Sequence, residues 1–218
     1  MNCPYCGYTW TPRTEQPKAC PRCKRRLDYP TGTKSGDPLD RARYIEPGFQ
    51  RTLYVMSVLT PQLEKQGVMP VVIGGAAVEF YTRNWYATGD IDLAINKDNR
   101  EAFYTIMDEA GFSKTGRMWI REDLGLYLEI PGDLDDLDAD RVTRVDRGDG
   151  YAYVVGLEDI IFDRIQAAKH WQSKSDHGQA VRMTSLYHDD IDWDYVRAKC
   201  RDGGSEDMLD QVLEEAHI

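Results

Sequence analysis

A chain of 218 residues is long enough for one sizeable core and a small additional module. Its composition, 41% hydrophobic with 13 tyrosines, is typical of a folded globular protein and excludes a wholly disordered one. No apolar run approaches the roughly 20 residues of a membrane span, and the N-terminus has no signal-peptide pattern. We therefore expect a cytoplasmic protein with no membrane partner.

The net charge of −10 is unevenly distributed along the chain. The first 30 residues carry six Lys or Arg against Glu15 and Asp28, a balance of +4 that leaves −14 on the remainder. This asymmetry is typical of a basic module that contacts nucleic acid and an acidic body that does not. Acidity alone also fits a need for solubility or for function in high salt.

Four of the five cysteines form two C-x2-C pairs that are separated by 13 residues. Two such pairs present four thiolates and close a tetrahedral site suited to zinc, with iron or a redox dithiol as the alternatives. About 30 residues cannot bury a core, so the metal would supply most of the folding free energy. We predict a zinc ribbon over residues 1–28 with a structural zinc. The predicted ligands are Cys3, Cys6, Cys20 and Cys23.

The role of this predicted ribbon remains open between nucleic acid and protein. Basic and aromatic side chains lie together in it and could grip a phosphate backbone and stack on bases. These side chains are Lys24, Arg25, Arg26, Tyr5, Tyr8 and Trp10. The alternative is a module that docks a protein or only stabilises the chain. Residues 29–46 are rich in Pro, Gly, Ser, Thr and Asp, which is the composition of a linker.

Beyond the linker, apolar spacing predicts a mixed α+β core over residues 47–155 and a helical region over 156–218 that packs on it. The predicted elements, in chain order, are a helix over 47–66, a strand over 69–75, a helix over 76–85, a strand over 86–96, a helix over 98–110, two short strands over 117–122 and 124–130, a strand over 151–155, and a helix over 157–171. The expected fold is a mixed sheet flanked by helices.

Asp90 and Asp92 stand one residue apart in an otherwise apolar strand pattern. Strand side chains alternate between faces, so the two carboxylates would share one face, roughly 7 Å apart. Their mutual repulsion favours a divalent cation between them. The alternative is a strand whose second face is in water.

Gly74 and Gly75 end the preceding strand and precede a predicted helix. Glycines let the backbone approach a triphosphate, and a helix N-terminus offers free N–H donors. Glu129 alternates with buried leucines in a later strand and could provide a third carboxylate. Taken alone, the glycine pair also fits an ordinary tight turn.

This arrangement resembles the DNA polymerase β-like nucleotidyltransferase superfamily, in which a Gly-Gly or Gly-Ser pair, a helix and D-x-D precede a third acid. It is most similar to the small prokaryotic nucleotidyltransferases related to type IV toxin–antitoxin toxins. The resemblance covers about residues 50–185. The matching positions are Gly74, Gly75, Ala77, Arg83, Thr88, Asp90, Ile91, Asp92 and Leu93, followed by Arg164, Lys174 and Asp176. Two departures are a longer loop before Asp90 and a Glu as the third acid.

The resemblance implies transfer of a nucleoside monophosphate from an NTP to an acceptor hydroxyl on RNA, protein or a small molecule. Asp90 and Asp92 would bind two Mg²⁺ ions, and Glu129 would coordinate the ion nearer the acceptor. Gly74 and Gly75 would hold the β- and γ-phosphates. Arg83, Arg164 or Lys174 would offset the triphosphate charge. The alternative is a non-catalytic regulator that binds nucleotide or nucleic acid through the predicted ribbon.

Overall fold

The computed structural model describes residues 9–12, 17, 21–22, 36–83, 85–148 and 150–218. The chain divides into two compact units, Met1–Pro38 and Leu39–Ile218. The division falls inside the predicted linker, because Leu39 and Ala42 are buried in the core of the second unit. The four predicted zinc ligands and the basic residues 24–26 lie outside the described residues, so the zinc ribbon stays a prediction.

In the described part of the chain, seven strands form one mixed sheet with the order β3-β4-β5-β2-β1-β7-β6. The strands are β1 (Val71–Ile73), β2 (Ile91–Ile95), β3 (Ser113–Thr115), β4 (Met118–Arg121), β5 (Leu126–Asp133), β6 (Thr143–Arg147) and β7 (Gly150–Val154). Strand β2 pairs in parallel with β5, and β1 in parallel with β7. The other neighbouring strands are antiparallel.

Helices flank this sheet and make up the C-terminal part of the chain. They are α1 (Phe49–Glu64), α2 (Gly74–Tyr81), α3 (Arg100–Glu109), α4 (Leu157–Trp171), α5 (Lys174–Tyr187), α6 (Trp193–Asp202) and α7 (Glu206–Glu215). Helix α4 has the predicted bounds, and its Ile160, Ile161 and Ile165 are buried. Helices α5, α6 and α7 pack against α4. The α+β class with a mixed sheet and a helical C-terminal region is confirmed.

Helix α6 is fixed to α4 by a buried polar network around Asp159. The Asp159 carboxylate accepts hydrogen bonds from Lys199 Nζ at 2.5 Å and from the Tyr195 hydroxyl at 2.8 Å. The backbone N–H of Asp138 donates to its second oxygen at 3.1 Å. A carboxylate that is only 3% exposed needs such partners, because an unpaired buried charge is costly.

The two edge strands, β3 and β6, were not predicted from the sequence. The three side chains of β3 are all exposed, and no side chain of β6 is fully buried. Edge strands with this composition lack the apolar alternation that identifies a strand in a sequence.

Helix α2 begins at Gly74 and ends at Tyr81, before the predicted end at residue 85. The helix cannot continue through Arg83, because that residue adopts a left-handed backbone with φ of 57°. No described helix is both long and apolar enough to cross a membrane.

Candidate active site

The Gly74–Gly75 turn packs directly on Asp92. Gly74 has φ of +60°, and a Cβ on it would collide with the Asp92 carboxylate. A Cβ on Gly75 would lie 3.0 Å from the Thr88 hydroxyl oxygen. The Gly75 N–H donates a hydrogen bond to Asp92. The packing of this turn therefore requires glycine at 74, whereas a Cβ at Gly75 would need Thr88 to shift slightly.

Strand pairing brings Asp92 next to Glu129. In the parallel pair of β2 and β5, Asp92 is the register partner of Glu129, and Ile91 is the partner of Leu128. Ile91 and Leu128 are buried, whereas the two acids are partly exposed, so the acids share the opposite face of the sheet. Neighbouring strands lie about 4.8 Å apart, which places two like charges close together.

Asp90 lies just before β2 rather than within it, and it is exposed. Its carboxylate accepts a hydrogen bond of 2.6 Å from the Thr88 hydroxyl. Thr88 thus contacts both the glycine turn and the first aspartate. The predicted acids Asp90, Asp92 and Glu129 are close enough to influence one another electrostatically.

Burial raises the pKa of Asp92 to about 6, and the charges of Asp90 and Glu129 contribute to the same rise. Arg164 and the N–H of Gly75 act in the opposite direction. At neutral pH the ionised Asp92 is therefore held in surroundings that disfavour its charge. A bound cation would relieve this, since it favours the ionised form.

Gly74, Asp92 and Glu129 line a pocket of about 510 Å³, whereas Asp90 and Gly75 are not part of its lining. It extends from the glycine turn along β2 and β5 to helix α4. Six carboxylates and two arginines of the described residues line it, so its side chains carry a net negative charge. They are Asp92, Glu129, Asp133, Asp136, Asp159 and Asp163, with Arg117 and Arg164. A free polyphosphate would be repelled here unless cations accompanied it.

Arg164 is the predicted cationic residue that the structure places in this pocket. Its guanidinium donates to Asp176 at 2.7 Å, to Gln179 at 3.5 Å and to its neighbour Asp163. Burial lowers the pKa of Arg164, but the two carboxylates raise it by more, so the net shift is upward. The side chain is only 17% exposed and is fixed between helices α4 and α5.

The other two predicted cations lie outside the pocket lining. Lys174 is an exposed residue at the first position of α5. Arg83 is exposed, and its guanidinium lies 5.9 Å from the ring centroid of Tyr187. Their contact with a triphosphate therefore stays a prediction.

One pocket residue that the sequence did not indicate is Arg117. Its Nε lies 2.9 Å from the Glu129 carboxylate. Arg117 precedes β4, whose Met118 pairs with Glu129 across the antiparallel β4–β5 ladder. The pairing of β4 with β5 therefore brings Arg117 to Glu129, the predicted third acid, and this pairing cannot be read from the residues around Arg117.

Among the described residues, no group of three or more His, Cys, Asp or Glu is arranged to hold a metal ion. The chemistry of the acids nevertheless fits Mg²⁺, which prefers carboxylate oxygens. Asp92 has a raised pKa that a cation would offset, and its register partner is a second acid. Asp90, Asp92 and Glu129 therefore stay the predicted ligands of such an ion.

A family described as "Nucleotidyl transferase of unknown function (DUF2204)" matches residues 52–124, about a third of the chain. The matched segment includes Gly74, Gly75, Asp90 and Asp92 but ends before Glu129. The search of curated proteins found no match.

Similar solved structures cover the greater part of the chain. A crystal structure of an antigenic nucleotidyltransferase-like protein from Paracoccidioides brasiliensis is 17% identical with a TM-score of 0.51, over 74% of this chain and 91% of that one. The solution structure of the antibiotic-resistance factor ANT(2'')-Ia is 15% identical with a TM-score of 0.44, and the match covers 75% of this chain and 97% of that one. The crystal structure of ANT(2")-Ia in complex with adenylyl-2"-tobramycin is 14% identical with a TM-score of 0.47, and the match covers 66% of this chain and 94% of that one.

Only the first of these three TM-scores exceeds 0.5, and at such low identity the likeness shows a shared fold. The family match covers the segment that carries the glycines and the paired aspartates. The second unit, Leu39–Ile218, therefore has the nucleotidyltransferase fold.

Proposed function

We propose that the chain transfers a nucleoside monophosphate from an NTP to an acceptor hydroxyl on RNA, protein or a small molecule. The observation that carries the proposal is the packing of the Gly74 turn on Asp92, whose register partner is Glu129. This places a backbone suited to phosphate beside acids suited to a cation, in a pocket of about 510 Å³. The family match and the fold support the same reaction class.

The glycine turn would bind the β- and γ-phosphates. Helix α2 starts at Gly74, and its N-cap residue Ile73 has no side-chain cap, so first-turn N–H groups other than that of Gly75 could donate to an anion. The absence of a Cβ at Gly74 and Gly75 keeps the backbone accessible. Gly75 already donates to Asp92, so the turn also aligns the acid with the phosphates.

Asp90, Asp92 and Glu129 would hold Mg²⁺, as two ions in a two-metal arrangement. When bound, the metal neutralises the triphosphate and stabilises the attacking and leaving oxygens. The acceptor oxygen would bond to the α-phosphorus while the bond from that phosphorus to the bridging oxygen breaks. Pyrophosphate leaves, and Glu129 accepts the hydroxyl proton. Arg164, held by Asp163 and Asp176, would face the developing negative charge.

The test is label transfer from each α-³²P-labelled NTP, with Mg²⁺ or Mn²⁺ and a cell extract as the source of acceptor. We expect a covalently labelled product and released pyrophosphate with the wild-type chain, and neither with Asp92→Asn. Asp123→Asn is the matched control, since Asp123 pairs with Arg121 and does not line the pocket. Nucleotide binding without pyrophosphate release would refute catalysis and favour a regulator. Equal labelling by Asp92→Asn would refute the assigned site.

A further inference from the structure

Arg117 reaches the pocket from an exposed hairpin turn. Strands β3 and β4 pair with Thr115 opposite Met118, so Gly116 and Arg117 form a two-residue turn, and Gly116 has φ of +61°. The Arg117 side chain is 83% exposed, yet its Nε lies 2.9 Å from Glu129, which is only 15% exposed. An exposed side chain thus neutralises a largely buried acid.

The two pocket arginines are held in different ways. Arg164 lies on a helix and is fixed by Asp163 and Asp176, so two carboxylates compensate its charge. Arg117 lies on a turn, and its ion pair is with Glu129. If Glu129 were taken by another cation, the Arg117 guanidinium would be free to bind another anion in the pocket.

The Arg117–Glu129 pair occupies an oxygen that the proposed metal site requires. Water reaches this pair from the side of Arg117, which is 83% exposed. An ion pair that water screens and that orders a long side chain is weak, and it shifts an equilibrium by about fivefold at most. A divalent cation near Asp90, Asp92 and Glu129 carries twice the charge of a guanidinium. It would therefore displace Arg117 from Glu129.

We propose that Arg117 is a positioning residue that holds Glu129 in the cation-free protein and then contacts a nucleotide phosphate once the cation has taken Glu129. This inference rests on the proposed function. The planar guanidinium suits bidentate binding to phosphate oxygens. Arg117 lines the same pocket as Gly74, where the phosphates would bind. Arg117 therefore couples occupation of the metal site to binding of the nucleotide.

The test measures Mn²⁺ binding by electron paramagnetic resonance, then binding of a non-hydrolysable NTP analogue in saturating Mn²⁺. We expect Arg117→Gln to bind Mn²⁺ about three- to fivefold more tightly, because Glu129 is freed. The same variant should bind the analogue about tenfold more weakly, because a charge-assisted contact is lost. Arg117→Lys should restore part of the analogue affinity. Glu129→Gln assigns the Mn²⁺ signal to this site.

Lys114→Gln is the matched control, because it removes the same charge from the same hairpin. Lys114 Nζ lies 3.8 Å from the ring centroid of Tyr104 rather than in the pocket. If Arg117→Gln and Lys114→Gln change Mn²⁺ affinity equally, or if analogue binding does not weaken, the role of Arg117 is refuted while the proposed function stands. If the wild-type chain binds neither Mn²⁺ nor any analogue, both proposals fail.

Discussion

Replacing Asp92 by Asn should stabilise the metal-free protein, although it abolishes the proposed activity. The ionised Asp92 is disfavoured by burial and by the charges of Asp90 and Glu129. Asn removes the negative charge and keeps an oxygen that can accept the hydrogen bond from the Gly75 N–H. The substitution therefore relieves electrostatic strain without leaving a donor unpaired.

The magnitude follows from the pKa of Asp92. A rise from 3.8 to about 6 corresponds to a penalty of about 3 kcal/mol when the group is ionised in both states. Below pH 3.8 the group is protonated in both states, and there is no penalty. Between 3.8 and 6 the folded state keeps a proton that the unfolded state has lost, so stability falls as pH rises. Above pH 6 the penalty stays constant.

Asp92 retains part of its exposure, so screening by solvent reduces the figure to about 1–2 kcal/mol. In urea unfolding with EDTA, we expect Asp92→Asn to raise the free energy of unfolding by that amount at pH 7.5. The gain should be about half as large at pH 5, where the folded wild type is mostly protonated. Mn²⁺ with a nucleotide analogue should then stabilise the wild type but not the variant.

Asp123→Asn provides a control for which the expected change in folding stability has the opposite sign. The hydrogen bond from Arg121 holds the pKa of Asp123 below its usual range, so its ionised form stabilises the folded state. That stabilisation is present at pH 7.5 and is lost as pH falls, so this variant should be the less stable one at pH 7.5. The reasoning about Asp92 is wrong if Asp92→Asn unfolds more easily than the wild type in EDTA, or if its gain is the same at pH 5 and 7.5.

Three further predictions concern the ribbon, the glycine turn and the helical region. The purified chain should contain one zinc per molecule by metal analysis, and Cys20→Ser should lose it while the second unit keeps its cooperative unfolding. Gly74→Ala should lower stability by more than Gly204→Ala in thermal unfolding, because both glycines have positive φ but only a Cβ at Gly74 meets a side chain. Equal losses of stability at the two positions would show that the backbone strain of a positive φ, and not a collision of the new Cβ with Asp92, accounts for the effect. Lys199→Met should cost about 2–3 kcal/mol in urea unfolding, because it removes the cation paired with buried Asp159; a loss below 0.5 kcal/mol would contradict this.

The parts of the site that are local in sequence could be predicted from it. Gly74 and Gly75 end a buried strand, and the spacing to Asp92 is short enough for a single strand–helix–strand unit. The apolar spacing of α4 likewise gave its bounds, because Ile160, Ile161, Ile165 and Ala168 on one face are buried, although Trp171 at the end of that spacing is exposed. In both cases neighbouring residues alone carry the pattern.

The remainder depends on strand register, which local patterns do not determine. Glu129 could be assigned to a strand face from its alternation with leucines, but its pairing with Asp92 requires knowledge that β5 lies beside β2. No local sequence pattern marks Arg117 as a site residue, since an arginine in a polar turn is common. Its place beside Glu129 follows from the pairing of β4 with β5. Arg83 and Lys174, assigned by the resemblance, are exposed and are not part of the pocket lining, so their role stays a prediction.

The ion pairs of the pocket indicate where a cation would bind within it. Four of the six carboxylates already have a cationic partner. These pairs are Lys97–Asp133, Lys199–Asp159, Arg164–Asp163 and Arg117–Glu129. Asp92 differs, because the two largest effects of neighbouring charges on its pKa come from the acids Asp90 and Glu129, and both raise it. A poorly compensated negative charge therefore lies beside the glycine turn. A divalent cation that enters this acidic pocket should bind there, at the point where the phosphates of an NTP would meet the N-terminus of α2.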